Sequence, residues 1–193
     1  LAGGGEAMIA AVVVLFAAGA AAELPVAERS LTAAVGADLN GPVLVVTAAP
    51  RPLANGLLPF VAVDAGLAGP RLAVQGGLQL RHDVCPGFAV RGGASGGLFV
   101  VGSAGGVGAT VDVDAVFVFG GVDLYVGPVV FAAAALDSGR VTPGGSVGVV
   151  VDLVDHVEFI ADGVAGYDLG GAYGHAGDGA FAASLVAGVR VTL

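Results

Sequence analysis

Residues 71–82, RLAVQGGLQLRH, decide how this chain is read. Successive side chains of a strand point to opposite faces. Leu72, Val74, Gly76, Leu78 and Leu80 therefore share one face, and Arg71, Ala73, Gln75, Gln79 and Arg81 share the other. The same period of two returns at 108–119 (GATVDVDAVFVF), where Val111, Val113, Ala115, Phe117 and Phe119 oppose Asp112 and Asp114. In 157–170, Val157, Phe159, Ala161, Ala165 and Tyr167 oppose Glu158, Asp162 and Asp168. In 181–193, Phe181, Ala183, Leu185, Ala187, Val189, Val191 and Leu193 oppose Ser184, Arg190 and Thr192. Further candidate strands cover 29–39, 43–49, 57–67, 88–101, 122–135 and 147–154, with Phe131, Val150 and Val154 on the polar parity. The piece at 42–55 is the weakest, because Pro50 and Pro52 interrupt it, so the pattern predicts eight to ten strands.

Composition says which face meets what. The 193 residues suit one domain. They are 56% hydrophobic and only 12% charged, against about 25% charged in soluble domains. Such a chain is too apolar for disorder, which needs low hydrophobicity and high net charge. The net charge is −9 and every basic residue is Arg, none of them clustered, which excludes nucleic acid as a partner. The single cysteine, Cys85, can form no internal disulfide and no thiolate-rich zinc site. Beyond Glu23 no 18-residue stretch is apolar and uncharged, so a membrane would have to be crossed by strands. The polar faces carry mostly Gly, Ala, Ser and Asp, which suit a narrow lumen rather than open water. The apolar faces extend about 10–12 residues in several strands, close to the 9–11 needed to cross a bilayer at a tilt. The expected fold is all-β: a closed antiparallel up-and-down transmembrane β-barrel of eight to ten strands.

Met8 to Ala22 reads MIAAVVVLFAAGAAA, too short for a spanning helix but suited to the apolar core of a signal peptide. Ala20-Ala21-Ala22 supplies small residues for cleavage, although residues 1–7 carry Glu6 and no basic residue. The expected division is a signal peptide over 1–22 and a barrel over 23–193. Loops 136–146 and 171–179 read as long, 102–107 as intermediate, and the turns at Gly120-Gly121 and Asp155-His156 as short. Outer-membrane barrels alternate in this way, with long loops outside; an even strand count then puts both ends of the barrel in the periplasm.

The closing strand FAASLVAGVRVTL and the preceding hairpin GVVVDLVDHVEFIADGVAGYDLGG resemble the small outer-membrane β-barrel proteins of Gram-negative bacteria, including the porin-like barrel superfamily. The hairpin looks like that family's strand, Asp-His turn, strand near the carboxyl end. The chain departs from the pattern at its last residues, where Val191 and Leu193 stand in place of aromatics; Trp is absent and Tyr occurs three times. The resemblance implies an outer-membrane location, export through the periplasm, the lipid bilayer as surrounding, and the barrel-assembly machinery as a partner during biogenesis.

The candidate site residues are the charges on the lumen parity: Asp38, Asp64, Arg71, Arg81, Arg91, Asp112, Asp114, Asp123, Asp152, Glu158, Asp162 and Arg190. Asp112 and Asp114 point the same way about 7 Å apart. They would make either a cation site or, as the cost of burying lone carboxylates favours, a pair satisfied by Arg91 on the neighbouring strand. Arg71, Arg81, Arg91 and Arg190 are expected to pair with acids such as Asp38, Asp64, Asp123 and Asp152. His82, His156 and His175 lack a nucleophile at His-x-Ser spacing, and the glycines of 102–108 lack the Lys-Ser/Thr ending of a phosphate loop. No catalytic residue, cofactor or metal is therefore assigned. The expected function is an integral outer-membrane barrel, structural or weakly pore-forming. The alternatives are a soluble secreted β-sandwich or β-barrel binding an apolar ligand, and a GC-rich reading frame that never folds.

Overall fold

The computed structural model describes residues 24–38, 41–53, 55–102, 104–135, 138–169 and 181–193. The apolar segment read as a signal peptide, residues 1–22, and the loop at 171–179 lie outside the described residues. Ten strands follow in order: β1 (Ser30–Asp38), β2 (Gly41–Ala49), β3 (Leu58–Gly66), β4 (Arg71–Cys85), β5 (Phe88–Val101), β6 (Ala104–Val118), β7 (Val122–Ala135), β8 (Ser138–Val154), β9 (Val157–Tyr167) and β10 (Phe181–Thr192). Each pairs antiparallel with its neighbour in sequence, and β10 pairs with β1 from Ser30↔Thr192 to Asp38↔Ser184, closing the barrel. The uncertain piece at 43–49 is a full strand, so the count is ten. Around the ring the pairing registers advance by about 12 residues, which tilts the strands by roughly 40° to the barrel axis.

Closure separates the two parities. On β4, Arg71, Ala73, Gln75 and Gln79 are buried while Leu72, Val74, Leu78 and Leu80 are exposed. On β6, Thr110, Asp112, Asp114 and Val116 are buried while Val107, Val111, Val113 and Phe117 are exposed. On β10, Val186 and Arg190 are buried while Phe181, Leu185, Val189 and Val191 are exposed. Charged side chains thus lie inside and Leu, Val and Phe outside, in a ring in which every strand has a partner on each side. Of the residues that broke the alternation, Val150 is buried against the other lumenal apolar residues, which include Tyr125 and Ile160, whereas Val154 is exposed beyond a register shift after Asp152. An arginine at Val113, half exposed near the centre of β6, is expected to destabilise the folded barrel by about 2–4 kcal/mol, read by urea titration in bilayers. A barrel folded in water would show no such cost.

Two loop expectations are corrected. Residues 104–107 belong to β6 and residues 138–146 to β8, so the β5–β6 and β7–β8 connections shrink to residues 102–103 and 136–137. The ladder continues because Val100↔Gly105 and Thr142↔Phe131 still pair, and two-residue connections suit antiparallel neighbours. Pro143 lies where β8 has passed the last register pair with β9, Gly144↔Gly166, and an edge of this kind tolerates proline. These hairpins extend strands of 14–17 residues well past the 9–11 that cross a bilayer. The Asp155-His156 turn is short as expected, with His156 at φ 66° in its left-handed position. This turn and the starts of β1 and β5 lie at one rim, called the near rim below; the 67–70 turn lies at the far rim.

Candidate functional site

The lumenal charges fall into three groups. Towards the far rim, Arg71 at the start of β4 pairs with Asp38 at the end of β1 and with Asp64 on β3 (Nη2 to Oδ2, 2.8 Å). Arg140 on β8 pairs with Asp168 just beyond β9. At the near rim, Arg190 on β10 pairs with Glu158 on β9, and Arg81 on β4 pairs with Asp123 on β7 (2.6 Å) and Asp83 (3.3 Å). Asp152 is exposed at that rim, and among the described residues it has no ion-pair partner, contrary to expectation. Asp152 lies near the end of β8, opposite Glu158 of β9, and its amide donates to the Gly121 carbonyl (2.8 Å) where β7 begins.

The middle group is the most elaborate. Arg91 on β5 sits opposite Asp114 on β6 in the strand register and donates to it from Nε (3.0 Å) and Nη2. Its guanidinium also stacks 4.1 Å from the centroid of the Tyr125 ring on β7. Asp114 takes a further bond from Ser146 Oγ on β8 (2.7 Å), and Tyr125 Oη donates to Asp162 on β9 (2.7 Å). Both of these bonds skip a strand. Ser146 reaches Asp114 over Gly127 of β7, and Tyr125 reaches Asp162 over Gly148 of β8. Each is open only because the residue between has no side chain: a Cβ at Gly127 would overlap Asp114, and one at Gly148 would overlap the Tyr125 ring. Asp112 folds over Gly93 of β5 for the same reason, its Cγ 3.2 Å from where a Cβ would stand. The result is a polar belt across five consecutive strands, almost wholly buried, in which Arg91 pairs with Asp114 while Tyr125 bonds Asp162 and Asp112 lies over Gly93.

Strand parity puts Arg71, Arg91, Arg190, Asp38, Asp64, Asp112, Asp114, Glu158 and Asp162 in the lumen, but it says nothing of pairs that skip strands. Tyr125 and Ser146 were missed, although Tyr125 shares its parity with Asp123. Arg140 was missed because its segment read as a loop. Gln79 carries no special signal in sequence; its role depends on the chain before β1, considered below. His82 and His156 are exposed at the near rim, as is Cys85, and His175 lies outside the described residues. Among the described residues no group of three or more His, Cys, Asp or Glu is arranged to hold a metal ion.

No family model matches the sequence, and no curated protein matches it. Among solved structures the chain is similar to the KdgM porin, and to the KdgM porin in complex with disordered oligogalacturonate. Each has a TM-score of 0.45 at 10% identity, covering 85% of this chain and 99% of that chain.

Proposed function

We propose that this chain is an integral outer-membrane β-barrel protein, structural or weakly pore-forming and without a catalytic role. The observation that carries the reading is the partition across one wall: an outer surface of Leu, Val and Phe around a lumen of paired charges, in a ring with no free edge. In this reading residues 1–22 act as the signal peptide, the barrel-assembly machinery inserts the barrel, and the near rim faces the periplasm. The lumenal charges Asp38, Asp64, Arg71, Arg91, Asp114 and Arg190 hold the interior together by pairing, as do Arg81, Asp123 and Glu158 at the near rim, while Asp162 is held by Tyr125 and Asp112 adds a further lumenal acid. Acids outnumber arginines along that surface, so any current through the barrel would be carried by cations.

The test is a membrane fractionation with unboiled and boiled samples run on SDS gels. The expected result is an outer-membrane band that shifts on heating, because a closed ladder resists detergent until melted. Reconstitution in planar bilayers is then expected to give small currents that prefer cations. A soluble periplasmic band without a heat shift would sink the reading and favour a secreted barrel that binds an apolar ligand.

A further inference from the structure

The chain that leads into β1 runs inside the barrel. Leu24 is 2% exposed and belongs to one apolar cluster with Ala34, Val45, Tyr125, Ile160 and Val186, which come from β1, β2, β7, β9 and β10. Val26 is packed with Ala49, Phe60 and Ala62 of β2 and β3. Two hydrogen bonds fasten the backbone between them. Arg190 Nη1 on β10 donates to the Pro25 carbonyl (2.8 Å), and the Val26 amide donates to Gln79 Oε1 on β4 (3.0 Å). In the ring β4 and β10 are four strands apart by one way round and six by the other, so these anchors lie on nearly opposite walls. The segment is strung across the lumen. It returns to the wall through a turn in which Ser30 Oγ donates to the Ala27 carbonyl (2.7 Å) and Arg29 takes φ 50°.

We infer that Leu24–Ala27 form an internal strap that closes the lumen from the near rim, and that its release opens a path through the barrel. The inference rests on the membrane-barrel reading above. The walls facing the strap mix large side chains such as Tyr125, Ile160 and Phe60 with Ala34, Ala49, Ala62 and Ala89. In a ring of ten strands the alanines do not meet across the middle, and Leu24 and Val26 fill the gap. The strap belongs to no strand. It is held by the bonds from Arg190 and to Gln79, by the Ser30 hydroxyl at its exit and by the buried side chains of Leu24, Pro25 and Val26, whereas the wall is held by a continuous ladder, so it can leave without the barrel opening. The lumen beyond it carries Asp112, Asp114, Asp162 and Glu158 against Arg91 and Arg190, an acidic excess that suits the passage of small cations.

The test uses the full chain with Cys85→Ser and a reporter cysteine at Ala34, 1% exposed in the strap's cluster. A water-soluble maleimide is expected to label Ala34→Cys slowly while the strap is intact. Leu24→Gly/Val26→Gly is expected to speed labelling at least tenfold and to raise the open fraction in planar bilayers by a similar factor. A variant that keeps the heat shift but labels and conducts like the parent overturns the strap alone. If the double variant loses its heat shift, Gln79→Ala decides: faster labelling supports the strap, and an unchanged rate overturns it. A strap-intact parent without a heat shift overturns the barrel reading, and the strap with it.

Discussion

Arg91→Ala is expected to lower the stability of the folded barrel by about 3–5 kcal/mol, the cost of removing one partner from a buried ion pair. Arg91 is 5% exposed and Asp114 is 1% exposed, so neither water nor salt can replace the lost partner. Asp112 and Asp162 make matters worse, since Asp114 would then be left unpaired in a lumen that holds two more buried carboxylates on β6 and β9. The Tyr125 ring would also lose the guanidinium stacked on it, and with it part of what holds its hydroxyl on Asp162. The measurement is a urea titration of the heat-shifted band. Arg81→Ala is the matched comparison. Its side chain is 41% exposed and its Asp123 partner lies at the rim, so its loss is expected to cost under about 1 kcal/mol. Equal costs for the two variants would show that the middle belt is not the buried electrostatic centre of the lumen. Arg91→Lys should fall between them, keeping the charge but not the forked donor or the flat stacking surface.

Gly127→Ala is expected to be nearly as damaging, at the upper end of the roughly 1–3 kcal/mol usual for overpacking, although it adds a single methyl group. The added carbon would overlap the Val113 carbonyl and stand 2.7 Å from Asp114 Cα, backbone atoms of a paired strand that cannot move aside. It would also block the route by which Ser146 reaches Asp114. Gly148→Ala should act in the same way on the Tyr125–Asp162 bond. Gly96→Ala is the control: a Cβ there comes no nearer than 3.6 Å to the Gly108 carbonyl, so it is expected to be close to neutral. Equal behaviour of Gly127→Ala and Gly96→Ala in the fraction of heat-shifted barrel would refute the view that lumenal glycines are gaps for cross-strand bonds.

Alternation and composition alone specified a great deal. Period two at 71–82, 108–119 and 181–193 assigned each side chain to a face, because a strand offers only two. The scarcity of charge and the small residues of the polar face then said which side turned inward. Pairing of Arg91 with Asp114 was also within reach, since adjacent strands bring opposed residues together in register. Strand ends were less legible. The glycines and proline of 138–146 read as a loop because local turn chemistry is the same whether or not a neighbouring strand holds the segment, and only the partner β7 makes it strand.

The sequence by itself determined the all-β alternation, the identity of the outward-facing side chains and most of the charges that enter the lumen, since these depend on neighbours in the chain and on one partition of apolar from charged groups. Tertiary structure decided what no local pattern encodes. It set the count of ten, because closure of β10 on β1 is a property of the whole ring. It set the bonds that pass over Gly127 and Gly148, because they join strands that are not adjacent. It placed Leu24 to Ala27 in the lumen, because a short segment with no periodicity has no preferred side until curved walls leave a gap of its size and Arg190 and Gln79 offer its backbone a bond from each side.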